Sequence, residues 1–156
     1  MATDSLRERD VPLNTLMPLI REELSAGKSV RFSPRGVSML PMLRPGVDTV
    51  TISPPPEKLK KYDLPLYRRD NGKYILHRIV EAGQTYTCIG DNQFNYETGV
   101  RHDQVIAIVT AFTRGQRLHS VNELPYRLYC RFWHYSRPVR HFWLRGIGWI
   151  RRHIRK

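Results

Sequence analysis

Three short fragments of this chain carry side chains that, brought together, can break an acyl bond. GVSMLP (residues 36–41) places Ser38 in a Gly-flanked turn, LHRIV carries His77, and CIGDN carries Asp91. A serine hydroxyl is a weak nucleophile until a neighbouring base takes its proton, and the developing oxyanion needs backbone donors aimed at it. Gly36 permits close backbone approach, Pro41 keeps a helix from running through Ser38, and Met39 and Leu40 can anchor the turn in a core. His77, between apolar neighbours in a strand-like run, is shielded and held as a general base must be. Asp91, just after Gly90 at a strand end, can accept the imidazole N–H and fix its tautomer. Each fragment also has a plain structural reading: a serine in a Gly/Pro turn, a satisfied core histidine, an Asx turn.

The elements that must position these residues are mainly β. Residues 1–12 read as frayed, and Asn14 is expected to cap a short helix with Leu16, Met17, Leu19, Ile20 and Leu24 near helical spacing, ended by Gly27. Residues 29–32 and 48–52 read as strands, the second closed by Pro54, Pro55 and Pro56. Asp70, Asn71 and Gly72 predict a type I′ hairpin between strands 64–69 and 73–80, with Lys73, Ile75, His77 and Ile79 on one face. Residues 86–89 and 104–112 add strands around an irregular loop over 90–103. From Leu124 the apolar period becomes helical. Beyond Pro138, Val139, Phe142, Trp143, Ile147, Ile150 and Ile154 share one side of a helix, opposite Arg140, Arg145, Arg151, Arg152 and Arg155.

The 156 residues suit one compact body, divided here into an N-terminal segment (1–27), a β domain (28–121) and a basic aromatic helical tail (122–156). The net charge of +12 is uneven: the tail holds nine basic residues against Glu123 alone, a net of +8. Its aromatic face opposite arginines fits packing on the body or a partner subunit, and equally fits attachment to an anionic membrane surface. Nucleic acid is not an expected partner, because no recognition motif accompanies the charge. The longest apolar run, residues 105–109, is far short of the roughly 18 residues of a membrane span. With no secretory signal pattern, the expected setting is cytoplasmic, peripheral on the inner membrane face if the tail binds lipid. Cys88 and Cys130 are expected as free thiols, Met39 and Met42 as core residues, and no cofactor or metal site is proposed, since His102, His119, His134, His141 and His153 lack ligand spacing.

Taken in order, the three fragments resemble the boxes of the type I signal peptidase family, and more closely its archaeal and endoplasmic-reticulum branch. Ser38, Met39 and Pro41 match the nucleophile box, His77 and Arg78 the base box, and Gly90, Asp91 and Asn92 the acid box, while Lys61, Tyr62 and Asp63 look like the strand start between the first two. The likeness runs from about Arg31 to Arg114. It implies a coiled, mostly antiparallel β fold shared with self-cleaving SOS-response repressors, and hydrolysis of an extended peptide docked as an added strand. Ser38 would attack, His77 would move the proton, and Asp91 would orient His77. The oxyanion would meet the Ser38 backbone N–H and the Gly36 position, where many relatives carry a second serine. Glu97 and Asp103 are the further acids downstream of the third box. The N-terminal anchor of the family has no counterpart here, so the expected substrate is a peptide other than an exported preprotein. The alternative expectation is a non-catalytic binding module on the same fold.

Overall fold

The computed structural model describes residues 12–141. In chain order they form α1 (Leu13–Ser25), β1 (Val30–Phe32), β2 (Val50–Ser53), β3 (Pro65–Arg68), β4 (Tyr74–Leu76), β5 (Arg78–Ala82), β6 (Tyr86–Ile89), β7 (Glu97–Val100), β8 (Val105–Arg114), β9 (Arg117–Ser120) and α2 (Leu124–Tyr135). The fold is mainly antiparallel β, as the sequence predicts. One sheet runs β1-β2-β8-β3-β4, with β9 also on β8, and a second runs β5-β6-β7. β8 organises the first sheet: β2 lies along one edge, while β3 and β9 share the other, β3 on its first half and β9 on its second.

Two apolar cores result. The larger joins Met17, Ile20 and Leu24 of α1 to Met39, Met42 and Leu43 of the serine turn, over Val50, Ile52, Leu66 and Val109 of the sheet. Each fully buried side chain of this size contributes roughly 1.5–3 kcal/mol. The smaller core gathers Tyr67, Ile79, Tyr86, Cys88 and Val100. Adjacent residues Leu66 and Tyr67 therefore point into different cores, as strand alternation requires. Cys88 and Cys130 are buried free thiols, and Met39 and Met42 are core residues, as expected. Among the described residues no helix is long and apolar enough to cross a membrane.

Several local expectations are corrected. α1 starts at Leu13, before Asn14, and the Thr15 and Leu16 N–H groups bond to the Pro12 carbonyl, so Asn14 is not the cap. The β3–β4 hairpin forms, but only Gly72 takes positive φ (+84°) while Asn71 does not. The Gly72 N–H returns to the Arg69 carbonyl and the Arg69 N–H to that of Lys73, giving a three-residue loop with an αL glycine rather than a type I′ turn. The segment read as one strand over 73–80 is two strands in different sheets, broken at His77. The break has a tertiary cause: the Ile79 N–H bonds to the Asp63 carbonyl, and the Ile79 carbonyl accepts from Tyr62 N–H, drawing the chain away from the first sheet. The loop 90–103 contains β7, paired with β6.

The tail begins by packing on the body. α2 buries Tyr126 and Cys130, and helical residues resume at 137–141 after a turn at Ser136. Most of the amphipathic helix expected over 139–154 lies outside the described residues.

Candidate active site

Ser38 sits in the connection from β1 to β2, which every nearby contact restrains. Gly36 takes φ +86°, a left-handed value that glycine adopts without a steric penalty. The Leu40 N–H bonds to the Val37 carbonyl at 3.2 Å, the Leu43 N–H to Met39 at 3.0 Å, and Arg114 donates to the carbonyls of Pro41 and Met42 at 2.6 and 2.9 Å. The Leu40-Pro41 peptide is cis. At the far end, buried Asp48 accepts from the Arg44 side chain at 2.9 and 2.7 Å and from the Arg44 and Gly115 N–H groups, clipping the turn to β2. Hydrogen bonds from Arg44 outweigh burial and hold the Asp48 carboxyl at about 2.

The Gly90-Asp91-Asn92 segment braces the same turn from the second sheet. The Asn92 N–H donates to the Ser38 carbonyl at 2.8 Å and its side-chain amide to the Val37 carbonyl at 3.2 Å. Gly90 is needed for this approach: a Cβ there would lie 2.6 Å from the Ser38 oxygen and 3.1 Å from the Gln93 side chain. Gly90→Ala is therefore expected to push the Ser38 turn off its support, costing about 1–3 kcal/mol in chemical denaturation.

His77 occupies the junction of the two sheets and is 4% exposed. It lines a cavity of about 120 Å³ together with Gly36, Ser38, Met39 and Leu76, and on its other side a groove of about 820 Å³ with Asn92, Phe94 and Glu97. The first and second boxes are thus brought to one cavity, although among the described residues no hydrogen bond joins the Ser38 hydroxyl to the imidazole. Burial pushes the His77 pKa down to about 4, against the pull of the Glu97 charge and with a further push from Arg69. The ring is neutral at ordinary pH and one of its nitrogens can accept a proton. Among the described residues its Nδ1 has no hydrogen-bond partner, and its ring meets that of Tyr67 edge-on.

Asp91 is not the acid that faces His77, which corrects the sequence expectation. Its carboxylate receives Arg78 Nε and Nη2, each at 2.8 Å, and the Tyr129 hydroxyl at 3.0 Å, while its carbonyl receives Trp133 Nε1 at 2.8 Å. Arg78 is fully buried, and its Nη1 also donates to Tyr126, Tyr62 and Cys130. Burial opposes the guanidinium charge, but Asp91 overcomes it and holds the Arg78 pKa well above its ordinary value. A buried cation of this kind demands a paired carboxylate, so Asp91 is committed to Arg78, although its charge still reaches His77 and works to raise the imidazole pKa.

The carboxylate beside the imidazole is Glu97, with Oε2 at 3.9 Å from His77 Nδ1. Burial works to raise its pKa, but hydrogen bonds from Arg69 (2.7 and 2.6 Å) and the Tyr67 hydroxyl (2.7 Å) keep it low and ionised. Asp103, the other downstream acid, is exposed and pairs with Arg101 at 3.1 Å. Tyr67 and Tyr129, whose hydroxyls hold the two acids, carry no signal of that role in the sequence. β7 went unread there, and with it the register that brings Glu97 opposite Cys88. Comparison with protein-family models, curated proteins and solved structures gave no match.

Proposed function

We propose that this chain is a serine peptidase of signal-peptidase type that cleaves an extended peptide. The observation carrying the reading is the cavity shared by Ser38 and a buried, neutral His77. Ser38 Oγ attacks the scissile carbonyl as His77 takes its proton, and His77 returns that proton to the leaving amine; water then cleaves the acyl-enzyme by the same route. Glu97, whose Oε2 lies 3.9 Å from Nδ1, stabilises by its charge the imidazolium formed on the way. The Ser38 N–H, which donates to no backbone acceptor among the described residues, faces the oxyanion beside Gly36. β4 is an edge strand of its sheet, and Tyr74, Ile75 and Leu76 line the cavity, which supports docking of the peptide as an added strand. The setting we propose is the cytoplasm, consistent with two buried free thiols.

A fluorophosphonate probe tests the assignment. Wild type is expected to label covalently and Ser38→Ala to remain unlabelled. Equal labelling of both removes Ser38 as nucleophile and leaves a binding module on this fold.

A further inference from the structure

We propose that the outer face of α2 attaches the protein to an anionic phospholipid bilayer. Leu124, Leu128, Phe132, Tyr135 and Val139 are 55% to 70% exposed. Their spacings of four, four, three and four residues put them in a single stripe, carried past Ser136 because the Ser136 N–H bonds to Phe132 and the Arg140 N–H to Ser136. The opposite face is already committed to the body through Tyr126, Cys130 and the Tyr129 and Trp133 bonds to Asp91. A continuous row of large apolar side chains left outside the fold marks a contact surface.

Charge beside the stripe selects the partner. Arg127 and Arg131 flank it one turn apart, and across a cleft of about 390 Å³ they face Lys60 and Lys61. Among the described residues the only acid lining that cleft is Asp63, whose carboxylate accepts the Lys60 backbone N–H at 2.8 Å. Apolar side chains for the acyl boundary beside cations for lipid phosphates are the two halves of interfacial binding. A second copy packed on the stripe would bring the two sets of arginines together, and a nucleic acid would leave the five apolar side chains in water. The proposal is independent of the chemistry at Ser38.

Co-sedimentation of the full chain with vesicles tests it. Binding is expected to phosphatidylcholine vesicles containing phosphatidylglycerol, and not to phosphatidylcholine alone. Leu128→Ser/Phe132→Ser is expected to weaken that binding at least tenfold, and Lys61→Gln/Arg131→Gln on the order of tenfold, with unchanged melting temperatures in both. Absence of binding to the anionic vesicles, or equal binding by wild type and both variants, overturns the assignment. So does a solution dimer that the Leu128/Phe132 variant converts to monomer, since the stripe would then belong to a second copy.

Discussion

Asp91→Ala is expected to destabilise the protein by about 3–5 kcal/mol, because it strands the fully buried Arg78 guanidinium without its carboxylate. In a chain of this size that lowers the melting temperature by about 10 °C or more. The same substitution releases the Tyr129 hydroxyl of α2, whereas Trp133 keeps its bond to the backbone carbonyl of residue 91, so the loss reaches the start of the tail through Tyr129. Replacing both ends of the pair, as Arg78→Met with Asp91→Leu, is expected to recover much of the stability, since two well-packed apolar side chains need no charge compensation. A double-mutant cycle reads this directly: strong coupling between the two sites is the expected outcome. An Asp91→Ala protein that melts like wild type but has lost its activity would instead restore Asp91 as the acid orienting His77.

On the proposed function, His77→Ala is expected to lower peptide cleavage by roughly 10³-fold or more, the loss typical when a nucleophile is deprived of its base. The pH dependence carries more information than the loss. With the ring held at about 4 by burial, activity should persist as pH falls through 6.5 and decline only near 4. Stability follows the same group. Between pH 6.5 and 4 the unfolded chain protonates His77 and the folded chain does not, so stability rises with pH across that window and is lost as pH falls through it. The loss amounts to roughly 3 kcal/mol over the window. His77→Gln should flatten that component in urea denaturation measured at pH 4.5 and 7. A wild-type activity profile that breaks at 6.5 would mean the imidazole is solvated and the buried-base account is wrong.

The elements legible in the sequence are those whose signals are local. The apolar run of β8, the prolines after β2, the glycine that ends α1 and the turn residues between β3 and β4 each act through neighbouring residues. What was not legible depends on distant partners. Glu97–Val100, with Gly99 at φ +76°, has little intrinsic strand character and is extended because β6 supplies its hydrogen bonds. The alternation over 73–80 continues smoothly past His77, and the hydrogen bonds from Tyr62 and to Asp63 are what divide it. Within the site, Ser38 and His77 could be picked out by residue type and near neighbours, but the braces that bring them to one cavity, from Asn92, Arg114, Tyr62 and Asp63, are distant in sequence. The partner of Asp91 was not legible, since an aspartate suits an imidazole and a guanidinium equally; the complete burial of Arg78, which a sequence does not display, decides between them.

The seam at His77 and Arg78 has a further consequence. One peptide unit carries the base toward the serine cavity and the cation toward the buried pair with Asp91, so the sites on either side of the seam are covalently coupled. The serine cavity itself is lined from the β1–β2 connection, β4 and His77. On the proposed function, a change that shifts the buried Arg78 therefore reaches the base through a single peptide bond, which ties the alignment of His77 to the integrity of the Arg78–Asp91 pair.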